Sequence, residues 1–219
     1  MFRMYAIEKL SKQVAAQIAA KLQMDQEHEA VLAYGAFAIF ETIWSILLVI
    51  VFGMLLGICM EALIISFAMA MLRKYSGGVH ATSPNRCAII GTIAACSLAI
   101  IIGQFIPFAN GMVLSVFGSI GFGFVYYVMN QYAPVDTPKK PIKREETRKQ
   151  LKKKSIYTIH VFFVATLLLI GAYLKTRNED LLNYAAAVVL GLLWQGITLT
   201  DIGFFIIHKF DRMLDKTKL

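Results

Sequence analysis

A histidine and a cysteine, His80 and Cys87, stand seven residues apart in the stretch RKYSGGVHATSPNRC, residues 73–87. Such a pair can perform nucleophilic acyl transfer, with sulfur as nucleophile and imidazole as base. The surrounding residues suit that chemistry. Ser83 is a favoured helix N-cap and Pro84 a favoured first helical residue. A helix is predicted to begin there, with Cys87 in its first turn. Unpaired amides and the helix dipole favour negative charge at that end, and Arg86 adds a neighbouring cation; both favour a thiolate. The same amides could stabilise an oxyanion. Gly77 and Gly78 open backbone conformations closed to other residues, so the chain can fold back and carry His80 toward the sulfur.

Spacing alone leaves other readings open. A polar loop without chemistry accounts for the same residues, and a metal site is a third reading. Zinc needs three or four ligands, and His28, His160 and His208 show no ligand spacing. No cofactor is implied. The chain has no GxSxG elbow, HExxH motif or Walker motif. Cys59 and Cys96 lie inside apolar runs and read as small buried hydrophobes. Three cysteines without a CxxC form no disulfide framework.

The elements that must position the pair are set by composition. Of 219 residues, 58% are apolar and only 16% charged, against about 25% charged in a soluble domain. Mean hydropathy is +0.61. The expected fold is an all-α, polytopic transmembrane helical bundle of about six spans, one domain over 1–219. Residues 31–72 hold two spans, with Gly53 as the tight turn. Residues 87–135 contain no Lys, Arg, Asp, Glu or His and hold two more, broken near 107–111. Residues 155–174 form a fifth and 181–207 a sixth. No apolar run resembling a secretory signal occurs in residues 1–30. Instead Ile7, Leu10, Val14, Ile18 and Leu22 recur at helical spacing, predicting an N-terminal amphipathic helix, either interfacial on the inner membrane surface or packed by that stripe against the bundle.

With the N-terminus inside, the inner segments carry 20 of the 22 Lys and Arg residues; the outer loops carry only Lys175 and Arg177. Both termini and the 73–87 loop are therefore expected at the cytoplasmic face. Nine of the basic residues fall in 139–154, within a basic loop spanning 133–154. That run reads as a topology signal beside anionic lipid headgroups, or as an electrostatic dock for an acidic partner. No recognition motif accompanies it, so no nucleic acid is expected.

The pattern R-x3-GG-x-H-x6-C, carried by Arg73, Gly77, Gly78, His80 and Cys87, resembles the accessory gene regulator B family. So does APVDTPKKPI at 133–142. The resemblance covers nearly the whole chain. It implies an integral membrane cysteine endopeptidase of the bacterial plasma membrane that processes a quorum-sensing precursor peptide. Cys87 matches the nucleophile and His80 the general base; Arg73 and Gly78 match positions the family needs for activity. The implied partners are the lipid bilayer and a small precursor with an acidic C-terminal tail, cleaved through a thioester and cyclised to a thiolactone. The resemblance also raises a homodimer as the assembly.

Other polar residues in the spans, Glu41, Glu61, His160 and Asp201, are either substrate or assembly contacts or plain packing residues. Asn85 and Asp136 are the candidates for a third group that orients His80. Gly118, Gly121 and Gly123 are expected to permit close helix contact. Two other classes of function stay open: a non-enzymatic peptide carrier or exporter using Glu41 and Glu61, and a membrane scaffold with an inert thiol.

Overall fold

In the computed structural model, which describes residues 2–106, 110–136, 142 and 144–216, and only the backbone of 2–6, the chain is helical throughout. The helices are α1 (Phe2–Leu22), α2 (Gln26–Leu55), α3 (Cys59–Ser76), α4 (Pro84–Phe105), α5 (Gly111–Tyr132), α6 (Glu145–Thr176), α7 (Glu179–Ile197) and α8 (Asp201–Lys216). No strand occurs among the described residues. Helices α2, α4, α5, α6 and α7 are long and apolar enough to cross a membrane. The polytopic helical bundle is as expected.

Helix α3 occupies the place of the expected second span. Its 18 residues carry Glu61 at the start and Arg73 and Lys74 at the end, so composition alone does not mark it as a span. Its interior stripe, Ala62, Ile65, Ala68 and Leu72, is fully buried, because α2, α4, α6 and above all α7 pack around it. The α3–α7 crossing is close. A Cβ added at Gly191 would lie 2.8 Å from the Ile65 carbonyl oxygen and 3.0 Å from Ala68 Cβ. The two helices run parallel: Ile65 and Ala68 meet Gly191, and one turn or more later Ser76 and Gly77 meet Gln195.

Hydrogen bonds then fix which helix ends meet. Val135 N donates to Ser76 O, Lys152 Nζ to Asn130 O, and Arg86 to Asp211. The ends of α3, α5 and α7 and the starts of α4, α6 and α8 therefore share one end of the bundle. Lys175 and Arg177 fall at the other. The charge asymmetry read along the chain is thus an asymmetry of the folded bundle among the described residues.

Several boundaries differ from expectation. The α2–α3 turn is at 56–58, where Gly57 takes φ 70°, and not at Gly53. Gly53 lies inside α2 and lets the hairpin close, since a Cβ there would sit 2.9 Å from Cys59 Cα. The helix of the sixth apolar run ends at Ile197. Thr198 and Thr200 hydroxyls donate to the Gln195 and Ile197 carbonyls at 2.7 and 2.8 Å, and the chain bends so sharply into α8 that a Cβ at Gly203 would collide with the Ile197 carbonyl. Of the expected 133–154 loop, residues 145–154 are the first turns of α6. Residues 107–109 of the break expected near 107–111, and 137–141 of the second motif, lie outside the described residues.

Helix α1 is present, but its expected apolar stripe is not its packing face. Ser11, Ala15 and Ala19, four apart, are buried, and α1 packs mainly on α2. Leu10, Ile18 and Leu22 are exposed, a face suited to lipid. Small residues win the packing face because they let two helices approach closely. The α1–α2 turn is set by Asp25, which caps α2 by accepting the His28 amide at 2.9 Å. That hydrogen bond holds the Asp25 carboxyl below its ordinary range.

Of the span-4 glycines, a Cβ added at Gly121 would lie 3.1 and 3.3 Å from Val189 and Leu193, and one at Gly118 3.6 Å from Val189; one at Gly123 would meet nothing within 4 Å. Two of the three serve the expected contact, against α7. Gly191→Val is expected to cost about 1–3 kcal/mol by overpacking, read as a lower thermal midpoint of the detergent-purified protein. Gly171→Ala, whose added Cβ meets nothing, is expected to leave that midpoint in place.

Candidate active site

The loop from Gly77 to Ser83 joins α3 to α4 and is held from several directions. Gly77 takes φ 69° and Gly78 φ 134°, conformations that L side chains rarely adopt. Gln195 Nε2 on α7 donates to Gly77 O at 2.8 Å and to Ser76 Oγ at 3.1 Å. Val79 N donates to Thr198 O at 3.4 Å. Gly78 is pressed against the same two residues at the end of α7 and just beyond it: a Cβ would lie 3.2 Å from Thr198 Oγ1 and 3.3 Å from Gln195 Nε2. The glycine pair thus provides both the turn and the close approach to α7.

Arg73, in the last turn of α3, reaches across this turn. Its Nη2 donates to the Val79 carbonyl and lies 3.1 Å from His80 Nδ1. A guanidinium has no acceptor, so Nδ1 accepts and a neutral imidazole carries its proton on Nε2. The structure therefore brings Arg73, Val79 and His80 together. His80 is exposed on the loop.

Cys87 is half-buried in the first turn of α4 and is a free thiol. Ser83 has the extended backbone of an N-cap and Pro84 follows it, as predicted. The Cys87 amide is already bonded to Ser83 O at 3.0 Å, so the unpaired helix-start amides belong to Asn85 and Arg86 and not to Cys87 itself. Arg86 also differs from expectation. Its guanidinium is turned to α8, with Nη1 3.2 Å from Asp211 Oδ1 and Nη2 3.0 Å from Asp215 Oδ1. Its Nε and the Oδ1 of Asn85 are buried without a hydrogen-bond partner.

The second motif meets the first. Besides Val135 N bonding Ser76 O, the Val135 carbonyl abuts Gly77, where a Cβ would lie 2.5 Å away. Asp136, one candidate to orient His80, is committed elsewhere: it accepts Arg148 Nη2 at 2.7 Å and the Ile142 amide at 3.2 Å. Arg148 Nη1 also donates to Pro134 O. The basic stretch therefore has a structural task, since Arg148 and Lys152 tie α6 to the end of α5. Lys74 and Lys154 both approach the Tyr75 ring, at 5.5 and 5.9 Å, next to Arg73.

Three residues of this arrangement were not singled out from sequence: Gln195, Thr198 and Asp211. Gln195 is a lone amide in the apolar run LGLLWQGI, a signal of its own. Asp211 and Asp215 are four apart on α8, one face of a helix. Of the remaining polar residues, Glu41 has its Oε1 buried without a partner, and His160 Nδ1 bonds Ile156 O at 2.8 Å on its own helix. Among the described residues no three His, Cys, Asp or Glu side chains gather as a metal set.

The chain matches the family profile described as accessory gene regulator B over residues 11–199. It is 34% and 33% identical over 211 residues to AgrB-like proteins from two strains of Clostridium perfringens, covering 96% of this chain and 99% of each relative. It is 27% identical over 209 residues to an AgrB-like protein of Listeria monocytogenes, covering 94% of this chain and 95% of the relative. No solved structure matches.

Gly78→Ala is expected to strain the backbone by about 1–3 kcal/mol and to push the loop off α7. Hydrogen exchange at Val79 should accelerate, while exchange in the α5–α6 interface stays as in the parent chain.

Proposed function

We propose that this chain, which belongs to the accessory gene regulator B family, is a membrane cysteine endopeptidase that trims and cyclises a quorum-sensing precursor peptide. The observation that carries the reading is the built loop. His80 is gripped by Arg73, and Cys87 lies in the first turn of a helix whose N-cap side chain makes no capping hydrogen bond. The family supplies the role in autoinducer processing, and the residue chemistry supplies the steps.

In that mechanism the Cys87 thiolate attacks the carbonyl carbon at the junction between signal segment and tail. The Asn85 and Arg86 amides are the nearest helix-start donors for the developing oxyanion. The C–N bond breaks, the amine of the tail takes a proton from His80, and a thioester to Cys87 remains. A thiolate within the precursor then attacks the thioester carbonyl, Cys87 leaves as thiolate, and a thiolactone closes. The second step exchanges one thioester for another, so acyl energy is kept and no water is consumed.

His80 must serve as acid and base in turn. Bonded to Arg73 it is neutral, with its proton at Nε2, so it must first take the thiol proton; the imidazolium so formed gives a proton to the leaving amine. Accepting the thiol proton at Nδ1 requires the Arg73 contact to open. We place this end of the bundle in the cytoplasm, because it gathers the Lys and Arg residues; α3 then completes six crossings and both termini face inward. Precursor made in the cytoplasm meets the loop directly, and the basic start of α6 suits an acidic tail.

The test is co-expression with the precursor peptide and a readout of tail release by mass spectrometry. Cys87→Ala is expected to abolish release, and His80→Ala to slow it by about 10²–10⁴. Arg73→Lys keeps the charge but not the forked geometry and should slow release by about 10- to 100-fold, the worth of one charged hydrogen bond. Unchanged tail release in Cys87→Ala overturns the mechanism. One observation favours a second reading as peptide carrier, the buried unpartnered Glu41 carboxylate. A carrier requires Glu41→Gln to abolish function while Cys87→Ala is mild.

A further inference from the structure

Helix α8 packs beside the candidate site, against the loop and α4. Ile207 packs with Val79 of the loop and Ile90 of α4 in one buried cluster, with Ala81 and Leu214 against it. One turn beyond Ile207 stands Asp211, only 3% exposed. Its Oδ2 accepts the Thr82 amide at 3.2 Å; its Oδ1 accepts the Thr82 hydroxyl and Arg86 Nη1, each at 3.2 Å. Thr82 lies two residues after His80, and Arg86 immediately precedes Cys87. One carboxylate therefore joins the histidine-bearing loop to the cysteine-bearing helix start. The family match stops at residue 199, before α8 begins, and the charge read from sequence as a thiolate neighbour is the one Asp211 holds.

We propose that Asp211 is a positioning residue: through Thr82 and Arg86 it sets the register between His80 and Cys87. Three donors converge on it, so it must present two acceptor oxygens. An asparagine has one carbonyl oxygen and one NH2 group, and the NH2 necessarily faces a donor. Asp211→Asn thus keeps the volume and releases one arm, either the Thr82 amide or Arg86, since the Thr82 hydroxyl can accept from the NH2. Asp211→Glu keeps both oxygens. Asp215, whose side chain is 69% exposed, adds a screened contact of small worth. The kinetic arm of this inference rests on the peptidase reading; the arm on thiol reactivity does not.

The experiment uses the full chain in detergent or vesicles, with membrane abundance and thermal midpoint recorded for each variant. Cys87 alkylation by iodoacetamide is followed by peptide mapping, with Cys59 in the same molecules as internal reference. Tail release from the precursor is measured in parallel. Asp211→Asn is expected to lower kcat by about 10²-fold, the scale of a misplacement near 1 Å, with KM within about twofold. The Cys87 to Cys59 alkylation ratio should change by at least about threefold while abundance stays at parental level. Asp211→Glu should recover most of the lost rate, and Asp215→Asn should cost at most about threefold. The inference is overturned by parental kcat and alkylation ratio in Asp211→Asn, by a loss that Asp211→Glu does not relieve, or by an equal loss in Asp215→Asn. If the parent chain releases no tail at all, the peptidase reading fails, and the alkylation ratio still decides whether Asp211 sets the environment of Cys87.

Discussion

The close parallel contact between α3 and α7 is the constraint on which the rest depends. Gly191 lets the α7 backbone settle against Ile65 and Ala68, and that depth brings Gln195 level with the end of α3. Only then can its amide bond both Ser76 and Gly77. In lipid there is no hydrophobic gain from pressing two apolar helices together, so small residues and polar contacts decide how closely they pack. Here both occur on one interface, the glycine in the middle and the glutamine at the end. The glycine turn that follows inherits its position from them.

From that point the loop is assembled from distant pieces of chain. The end of α7 holds Gly77 to Val79, the second motif holds Ser76, and α8 holds Thr82 and Arg86. Each is a polar contact at a helix end, where unpaired amides and carbonyls must be satisfied. The same supports that satisfy this backbone also aim the functional side chains. Arg73 shows the economy of this arrangement: one guanidinium nitrogen serves the Val79 carbonyl and the imidazole together. Loop shape and histidine tautomer are thereby coupled, and a change in one is felt in the other.

The segment after the last crossing changes character for a related reason. Its residues continue the apolar run of α7, yet Thr198 and Thr200 turn their hydroxyls onto carbonyls of the preceding turn and Gly203 lets the chain bend sharply. The product is an amphipathic helix with Gly203, Ile207 and Asp211 buried and Ile202, Phe205 and Met213 exposed. It faces the site on one side and suits the membrane boundary on the other.

Much of this was legible in the residues themselves. Low charge and long apolar runs dictate a helical membrane bundle, because a backbone in lipid must satisfy its own hydrogen bonds. The Ser-Pro step dictates where α4 begins, and the motif residues point to the loop, since N-capping and local spacing are short-range physics. Where the runs break was less legible: Gly53 reads as a turn but serves a contact, and the sixth run conceals a sharp bend. Glycine signals both a bend and a close approach, and only the neighbour it meets distinguishes them. The partners of the charged groups were not legible at all. Arg86 reads as a neighbour of Cys87 and turns instead to Asp211, 125 residues away. Asp136 reads as a partner for imidazole and is taken by Arg148. Pairing of that kind depends on which helix ends share one side of the bundle, and that is decided by how α3 and α7 pack.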